Sequence, residues 1–276
     1  MCEDRAATAK QNMAELYSRV APSYAERGPP RFAYAGRRLV ELAGVGSDDA
    51  VLDLGTGRGA ALLPAAERVG PMGRAIGIDL APGMVEQTAT VIAERGLTWA
   101  NVRLMDAEHL EFPDESFSHV LCSFAVFFLP DLSKALAEVR RVLRPTGVVG
   151  FAFERDADPR WSWCEEMLRA CGVFERMSPV PGSGPIREKG VLIKCLDSAG
   201  FLEAKEVMEE VELFFANEDA WWESLWTHGS RRALEALTPD ELAEVKARTL
   251  ERARSMATTA GVPELHNFVY VLARRG

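Results

Sequence analysis

The chain has 276 residues, enough for one large α/β domain or two small ones, and its 47% apolar and 26% charged content is that of a globular protein, not a disordered or fibrous one. Lys and Arg number 32 against 41 Asp and Glu, a net charge of −9 that argues against nucleic acid or an anionic membrane as the partner. Five cysteines without a C-x-x-C pair exclude a disulfide framework, and the longest apolar run, Val120 to Leu129, falls far short of the roughly 20 residues of a membrane helix.

From Val51 onward, short aliphatic runs alternate with helical patterns, the signature of parallel βαβ units. Val51 to Leu54 reads as a buried strand that ends in a glycine loop. A helix over Ala60 to Val69, a strand over Arg74 to Asp79 and a helix over Pro82 to Arg95 follow, the last with proline in its first turn. Asn101 to Met105 and Phe117 to Phe124 are the next strands. Asp131 is placed to cap a helix whose apolar face is Leu132, Leu136, Val139 and Leu143. Arg144 to Gly147 ends that helix, and Val148 to Phe153 forms strand five.

The pattern then loosens into a tryptophan-bearing segment, a Pro/Gly-rich loop from Pro179 to Pro185 and a helix from about Arg187 to Ser198 closed by Gly200. Lys205 to Phe214 and Leu265 to Leu272 read as two more strands, with a helical excursion between them. Asn217 and Thr238 are its N-caps, and Thr238-Pro239-Asp240-Glu241 has the form of a capping box.

VLDLGTGRG sets Asp53, Gly55, Gly57 and Gly59 where a strand turns into a helix, so a ligand can approach the backbone closely. Glycines there are equally ordinary turn chemistry. The spacing is one residue tighter than the dinucleotide fingerprint, and Asp53 is a poor neighbour for pyrophosphate. Asp79, twenty residues past Gly59, suits ribose hydroxyls. Asp106, past strand three, suits an exocyclic amine such as adenine N6. Three acids at three successive strand ends fit a ligand with positive charge and no phosphate.

On these residues the chain resembles the class I S-adenosylmethionine-dependent methyltransferases, of the small-molecule type found in ubiquinone and menaquinone biosynthesis. The resemblance covers Tyr17 to Phe153 and resumes at Ser198-Ala199-Gly200-Phe201. It implies a Rossmann-like, doubly wound, seven-stranded, mostly parallel sheet with its last strand antiparallel. It implies S-adenosylmethionine as cofactor, with Asp53, Gly55, Thr56 and Gly57 around the methionine part. Asp79 would hold the ribose, Leu80 and Met84 would flank the adenine, and Asp106 with the Ala107 backbone would read its edge. Cys122 and Ser123 would lie beneath the methionine, and Tyr24, in Val20-Ala21-Pro22-Ser23-Tyr24, would cover the cofactor. Leu143-Arg144-Pro145-Thr146-Gly147 carries Thr146 where relatives have glycine.

Phe127 and Phe128 stand where many relatives carry histidine, and they either pack in the core or line an apolar acceptor pocket. Trp161, Trp222 and Trp226 are further candidates for that pocket, with core packing the alternative. His228 and Glu154 are the candidate proton acceptors; His109, His119 and His266 read as structural. No cluster has metal-ligand spacing, and no metal is expected.

The expected organisation is one domain over 1–276. Helices over 1–45 lie on the cofactor, a core over 46–154 binds it, and a substrate-side half over 155–276 carries a helical lid at about 217–258. The expected activity is O- or C-methylation of a small apolar or aromatic molecule in the cytoplasm, with a homodimer compatible with the sequence. The alternatives are a cyclase that keeps the cofactor as a structural element and a non-catalytic cofactor-binding protein.

Overall fold

A computed structural model describes residues 2–24, 30–177, 185–227 and 229–276, without the side chains of 2–5. Helices α1 (Cys2–Val20) and α2 (Arg31–Leu42) precede strand β1 (Ala50–Leu54). Helix α3 (Leu62–Val69), β2 (Arg74–Asp79), α4 (Pro82–Glu94), β3 (Ala100–Leu104) and β4 (Phe117–Ser123) follow, then α5 (Leu132–Val142) and β5 (Leu143–Glu154). The second half holds α6 (Ser162–Ala170), α7 (Val173–Arg176), α8 (Val191–Ser198) and β6 (Phe201–Phe215). Three helices, α9 (Glu218–Ser224), α10 (Arg231–Glu235) and α11 (Pro239–Met256), lead into β7 (Val262–Arg275).

The strands form one sheet in the order β3-β2-β1-β4-β5-β7-β6. Strands β1 to β5 pair in parallel, while β7 runs antiparallel to both β5 and β6. Every residue of β1 is buried, because a parallel sheet is covered on both faces. Leu39, Leu62 and Ala65 from α2 and α3 pack on one face with Phe268 and Tyr270 of β7. Leu136, Val139, Leu192 and Leu196 from α5 and α8 pack on the other with Phe117, Phe151 and Phe153.

The expected caps are present: Asp131 accepts from the Lys134 N–H, Asn217 accepts from the Ala220 N–H, and Thr238 with Glu241 forms the reciprocal capping box. Strands β6 and β7 run longer at both ends than Lys205 to Phe214 and Leu265 to Leu272, and three other boundaries shift for local reasons. Helix α3 starts at Leu62, not Ala60, because positive φ at Gly57 and Gly59 prolongs the loop. The segment expected as one helix from Arg187 begins at Val191, because Gly190 has φ +76 and is preceded only by a short 3₁₀ turn, Pro185–Arg187. Strand β5 begins at Leu143, inside the Arg-Pro-Thr-Gly stretch: Leu143 pairs with Phe117 and Val148 with His119, and the irregularity between them holds Thr146 at φ +65. The loop at Pro179 to Pro185 falls outside the described residues except for Pro185.

The helical excursion has its own core. Trp161 stacks on Trp221 with ring centroids 4.0 Å apart, beside Phe215, Ala253 and Val262. Trp222, Leu234 and Val245 form a second cluster with Trp226 packed against it.

Candidate active site

Past the carboxyl ends of β1 to β4 the chain encloses a cavity of about 460 Å³, in the range of small-molecule sites. It lies at the switch point of the strand order, where β1 and β4 send their connections to opposite faces of the sheet. Among the described residues none beyond Pro130 lines it.

The loop after β1 needs its glycines for two different reasons. Gly55, Gly57 and Gly59 all have positive φ, between 52° and 83°, where a side chain is strained. A Cβ on Gly55 would also meet the Ala125 Cβ at 2.4 Å, so this loop and the one after β4 can approach only without it. A Cβ on Gly57 would meet nothing nearer than Tyr24 Cε1 at 4.0 Å, leaving its face open to the cavity. The loop is tied down by the Thr56 N–H donating to the Ile78 carbonyl and by Thr88 Oγ1 donating to the Gly57 carbonyl.

The three acids have different surroundings. Asp53 is 1% exposed and stands behind the cavity lining; Thr56 Oγ1 donates to its Oδ2 at 2.7 Å, and its Oδ1 has no partner. Burial pushes its carboxyl up to about 7, against the hydrogen bonds from Thr56 and the Leu62 backbone. Asp79 receives the Gly57 N–H on Oδ2 at 2.8 Å and the Ala81 N–H on Oδ1 at 2.9 Å. Burial raises its pKa and those backbone bonds oppose the rise. Asp106 accepts the Glu108 N–H on Oδ1 and an ion pair from Lys10 Nζ on Oδ2 at 2.7 Å, and Lys10 also reaches Glu108 at 2.6 Å. Helix α1 is thereby latched to the rim of the cavity.

Leu80, Met84 and Ala107 line the same cavity, as do Cys122 and Ser123 at the end of β4. Burial drives the Cys122 thiol far up, so it is a neutral packing group. Ser123 Oγ is buried without a partner. These unpaired atoms, with the open face of Gly57, fit a polar ligand portion lying on the glycine loop.

Aromatic rings line the same cavity. Tyr17 meets Tyr24 and Phe128 edge-on at 5.9 and 5.6 Å, Tyr24 stacks on Phe32 at 5.5 Å, and Phe32 meets Phe124 at 4.8 Å. Lys10, Met13, Ala14 and Tyr17 all line the cavity from α1, the i, i+3, i+4, i+7 stripe of one helix face. That spacing is the signal for these α1 residues, none of which the sequence reading singled out; of the rings it named Tyr24 and Phe128.

The remaining candidates sit elsewhere. Phe128 lines the cavity, whereas Phe127 is buried behind it under the Arg187 guanidinium, 4.3 Å from the ring. Trp161 and Trp222 are buried in the helical excursion and Trp226 packs beside Trp222, so these three rings hold that segment together and do not line the cavity. The excursion leans on α1 instead, through Arg19 and Glu235. Glu154 ends β5 and accepts from His266 Nδ1 at 2.6 Å, outside the cavity lining. His228 lies outside the described residues.

A doubly wound sheet with its last strand reversed, carrying an acid-floored cavity at its switch point, defines a Rossmann-like nucleoside-binding protein. Comparison with known proteins makes this more specific. A methyltransferase-domain family profile matches residues 52–151. Nocamycin O-methyltransferase of Saccharothrix syringae is 33% identical over 271 residues, covering 94% of this chain and 97% of its own. Aklanonic acid methyltransferase DauC of a Streptomyces strain is 41% identical over 142 residues, 51% of this chain and 64% of its own. Among solved structures, the YcgJ protein of Bacillus subtilis matches with a TM-score of 0.59 at 19% identity over 88% of this chain and 98% of its own. The [4+2]-cyclase SpnF matches with a TM-score of 0.54 at 20% identity over 88% and 81%, a likeness of fold alone. The chain belongs to the S-adenosylmethionine-dependent methyltransferases.

Proposed function

We propose that the chain methylates an oxygen of a small, largely apolar, aromatic secondary metabolite. One observation carries this reading: a single cavity is lined both by the carboxylates Asp79 and Asp106 and by five aromatic rings, Tyr17, Tyr24, Phe32, Phe124 and Phe128. The near full-length similarity to a protein named nocamycin O-methyltransferase supports oxygen as the acceptor and secondary metabolism as the setting.

When bound, S-adenosylmethionine supplies a methyl group on a sulfonium, already activated for in-line displacement. The protein's tasks are to orient, to exclude water and to accept a proton. Asp79, pre-set by the Gly57 and Ala81 amides, holds the ribose with its remaining lone pairs. Asp106 and the Ala107 backbone read the adenine edge, between Leu80 and Met84. Asp53, Gly55, Thr56, Gly57, Gly59, Cys122 and Ser123 shape the floor beneath the methionine part. Tyr24 and Tyr17 exclude water from above, and Phe128 with Phe32 receives the acceptor ring.

The same reading places the work in the cytoplasm, in keeping with four free cysteines among the described residues, and assigns no nucleic-acid partner at a net charge of −9. No helix among the described residues is long and apolar enough to cross a membrane. A homodimer stays part of the reading, tested by light scattering. The deciding experiment supplies labelled S-adenosylmethionine with hydroxyanthraquinones, naphthols and simple phenols and locates the label in the product. Label on oxygen is expected; label only on carbon or nitrogen, or bound cofactor with no transfer, would overturn it.

A further inference from the structure

At the end of β5, beyond the aromatic wall, two glutamates bracket a buried histidine. Glu154 Oε1 lies 2.6 Å from His266 Nδ1, and His266 Nε2 lies 3.4 Å from Glu264 Oε2 without an aligned hydrogen bond to any described residue. His266 is 3% exposed and its ring stacks on Phe268, which meets the cavity-lining Phe124 edge-on at 6.4 Å. Along the sheet, Ser123 on the cavity lining pairs with Ala152, and Glu154 stands two residues further on, about 7 Å toward the carboxyl end of β5. Of the three groups Glu154 is the most open, 25% exposed against 18% for Glu264, and its Oε2 carries no hydrogen bond from a described residue.

We propose that Glu154, His266 and Glu264 form a proton-accepting array for a methyl acceptor that extends past the cavity lining to the end of β5, with Glu154 as the catalytic base and His266 as its positioning residue. This rests on the reading of the protein as an O-methyltransferase. As the acceptor oxygen forms its bond to the methyl carbon, the sulfur–carbon bond breaks and its electron pair stays on sulfur. The hydroxyl proton passes to Glu154 Oε2 and leaves to solvent with the product. The array therefore ends each turnover as it began.

The charged groups around the array suit this role. Glu154 faces His266, Arg31 of α2 and Arg187; desolvation alone would raise its pKa, but these three outweigh it and hold the carboxylate ionised below the usual range. Glu264 faces Arg31, His266, Glu154, Asp158 and the Cys164 thiol, and burial with the neighbouring carboxylates raises its pKa. With Glu264 Oε2 facing His266 Nε2 at 3.4 Å, the Nδ1 side of the ring is the one aimed at Glu154. Arg31 and Arg187 rest on the rings of Phe32 and Phe127, 4.8 and 4.3 Å from their centroids, and keep positive charge near Glu154.

The test measures methyl transfer by the full chain to two phenols of different acidity, para-nitrophenol and para-cresol. Alongside it, S-adenosylhomocysteine affinity is measured by calorimetry and the chemical shift of the His266 Nδ1 nitrogen is recorded by NMR. Glu154→Gln is expected to lower kcat about a hundredfold for the cresol and much less for the acidic nitrophenol, with KM and cofactor affinity near those of the parent. His266→Asn, whose amide can still donate to Glu154, is expected to retain far more activity than His266→Leu. The His266 Nδ1 resonance, which reports the contact to Glu154, is expected to move in Glu154→Gln. Equal losses for both phenols, His266→Leu matching His266→Asn, or an unmoved Nδ1 resonance would overturn the array. Transfer by the unaltered protein to carbon or nitrogen alone would instead overturn the O-methylation reading, and the proton-accepting role with it.

Discussion

Asp53 offers the sharpest physical test of the cavity floor. Its carboxyl sits at the end of β1 with one oxygen held by Thr56 and the other unpaired, and burial lifts it from 3.8 to about 7. A rise of roughly three units corresponds to about 4 kcal/mol of differential stability between its two forms. Because the folded value lies above the unfolded one, the folded protein holds a proton that the unfolded chain has lost between pH 3.8 and about 7. The contribution to stability is complete below the unfolded value and is lost as pH rises through the folded one. Asp53→Asn should therefore be more thermostable than the parent at pH about 8 and little different at pH about 4.

The same proton should report ligand binding. A sulfonium and an ammonium lying on the glycine loop favour the ionised carboxylate, so binding S-adenosylmethionine near pH 7 should expel about half a proton, and affinity should climb as pH rises from about 6 to 8. Calorimetry in phosphate and in Tris, which differ in ionisation enthalpy, reads the release directly. Asp53→Asn should abolish the difference between buffers. Identical enthalpies for the parent in both buffers would refute the reasoning, because a ligand that leaves Asp53 protonated is not lying over it as a cation.

Three further outcomes follow from the geometry. Asp79→Asn turns one accepting oxygen into a donor facing the Gly57 or Ala81 amide and loses a charge-assisted bond of about 1.5–3 kcal/mol, so the Kd for S-adenosylhomocysteine should rise roughly 10- to 150-fold in a fluorescence titration while the fold survives. Thr146→Gly removes a β-branched side chain from φ +65 on an exposed bulge, and after the extra chain entropy of glycine it should gain about 0.5–1 kcal/mol in urea denaturation; a loss would show that the Thr146 side chain holds the turn. Trp161→Ala empties the stack on Trp221 and removes the Nε1 donation to the Pro263 carbonyl at 3.2 Å. It should cost about 3–5 kcal/mol, with limited proteolysis opening the 217–258 region before the cofactor core.

What the sequence could show divides along physical lines. Strand β2 has the boundaries expected for it, Arg74 to Asp79, because a buried parallel strand is a short apolar run closed by a polar residue at the ligand edge. The caps at Asn217 and Thr238 were equally legible, since a cap is settled by residues three apart. The start of β5 was not, because Thr146 takes a conformation that normally calls for glycine. The tryptophans were read toward the acceptor because helical spacing cannot tell a segment's own core from a ligand wall; only the stack of Trp161 on Trp221 decides it. Lys10 was invisible because its partners, Asp106 and Glu108, lie 96 and 98 residues away.

The three acids carry the argument furthest. In the sequence Asp53, Asp79 and Asp106 are equivalent, one carboxylate at each of three strand ends. In the fold one has an orphaned oxygen in a dry site, one is braced by two amides, and one shares a lysine with Glu108. A single ligand that satisfies all three must bring positive charge to Asp53, hydroxyl donors to Asp79 and an amine that can share Asp106 with Lys10. Under the proposed function, its order of charge, sugar and amine would follow the order of the strands from β1 to β2 to β3, and the neighbouring strands would set the orientation of the methyl donor in a cavity that Tyr17, Phe32 and Phe128 also line.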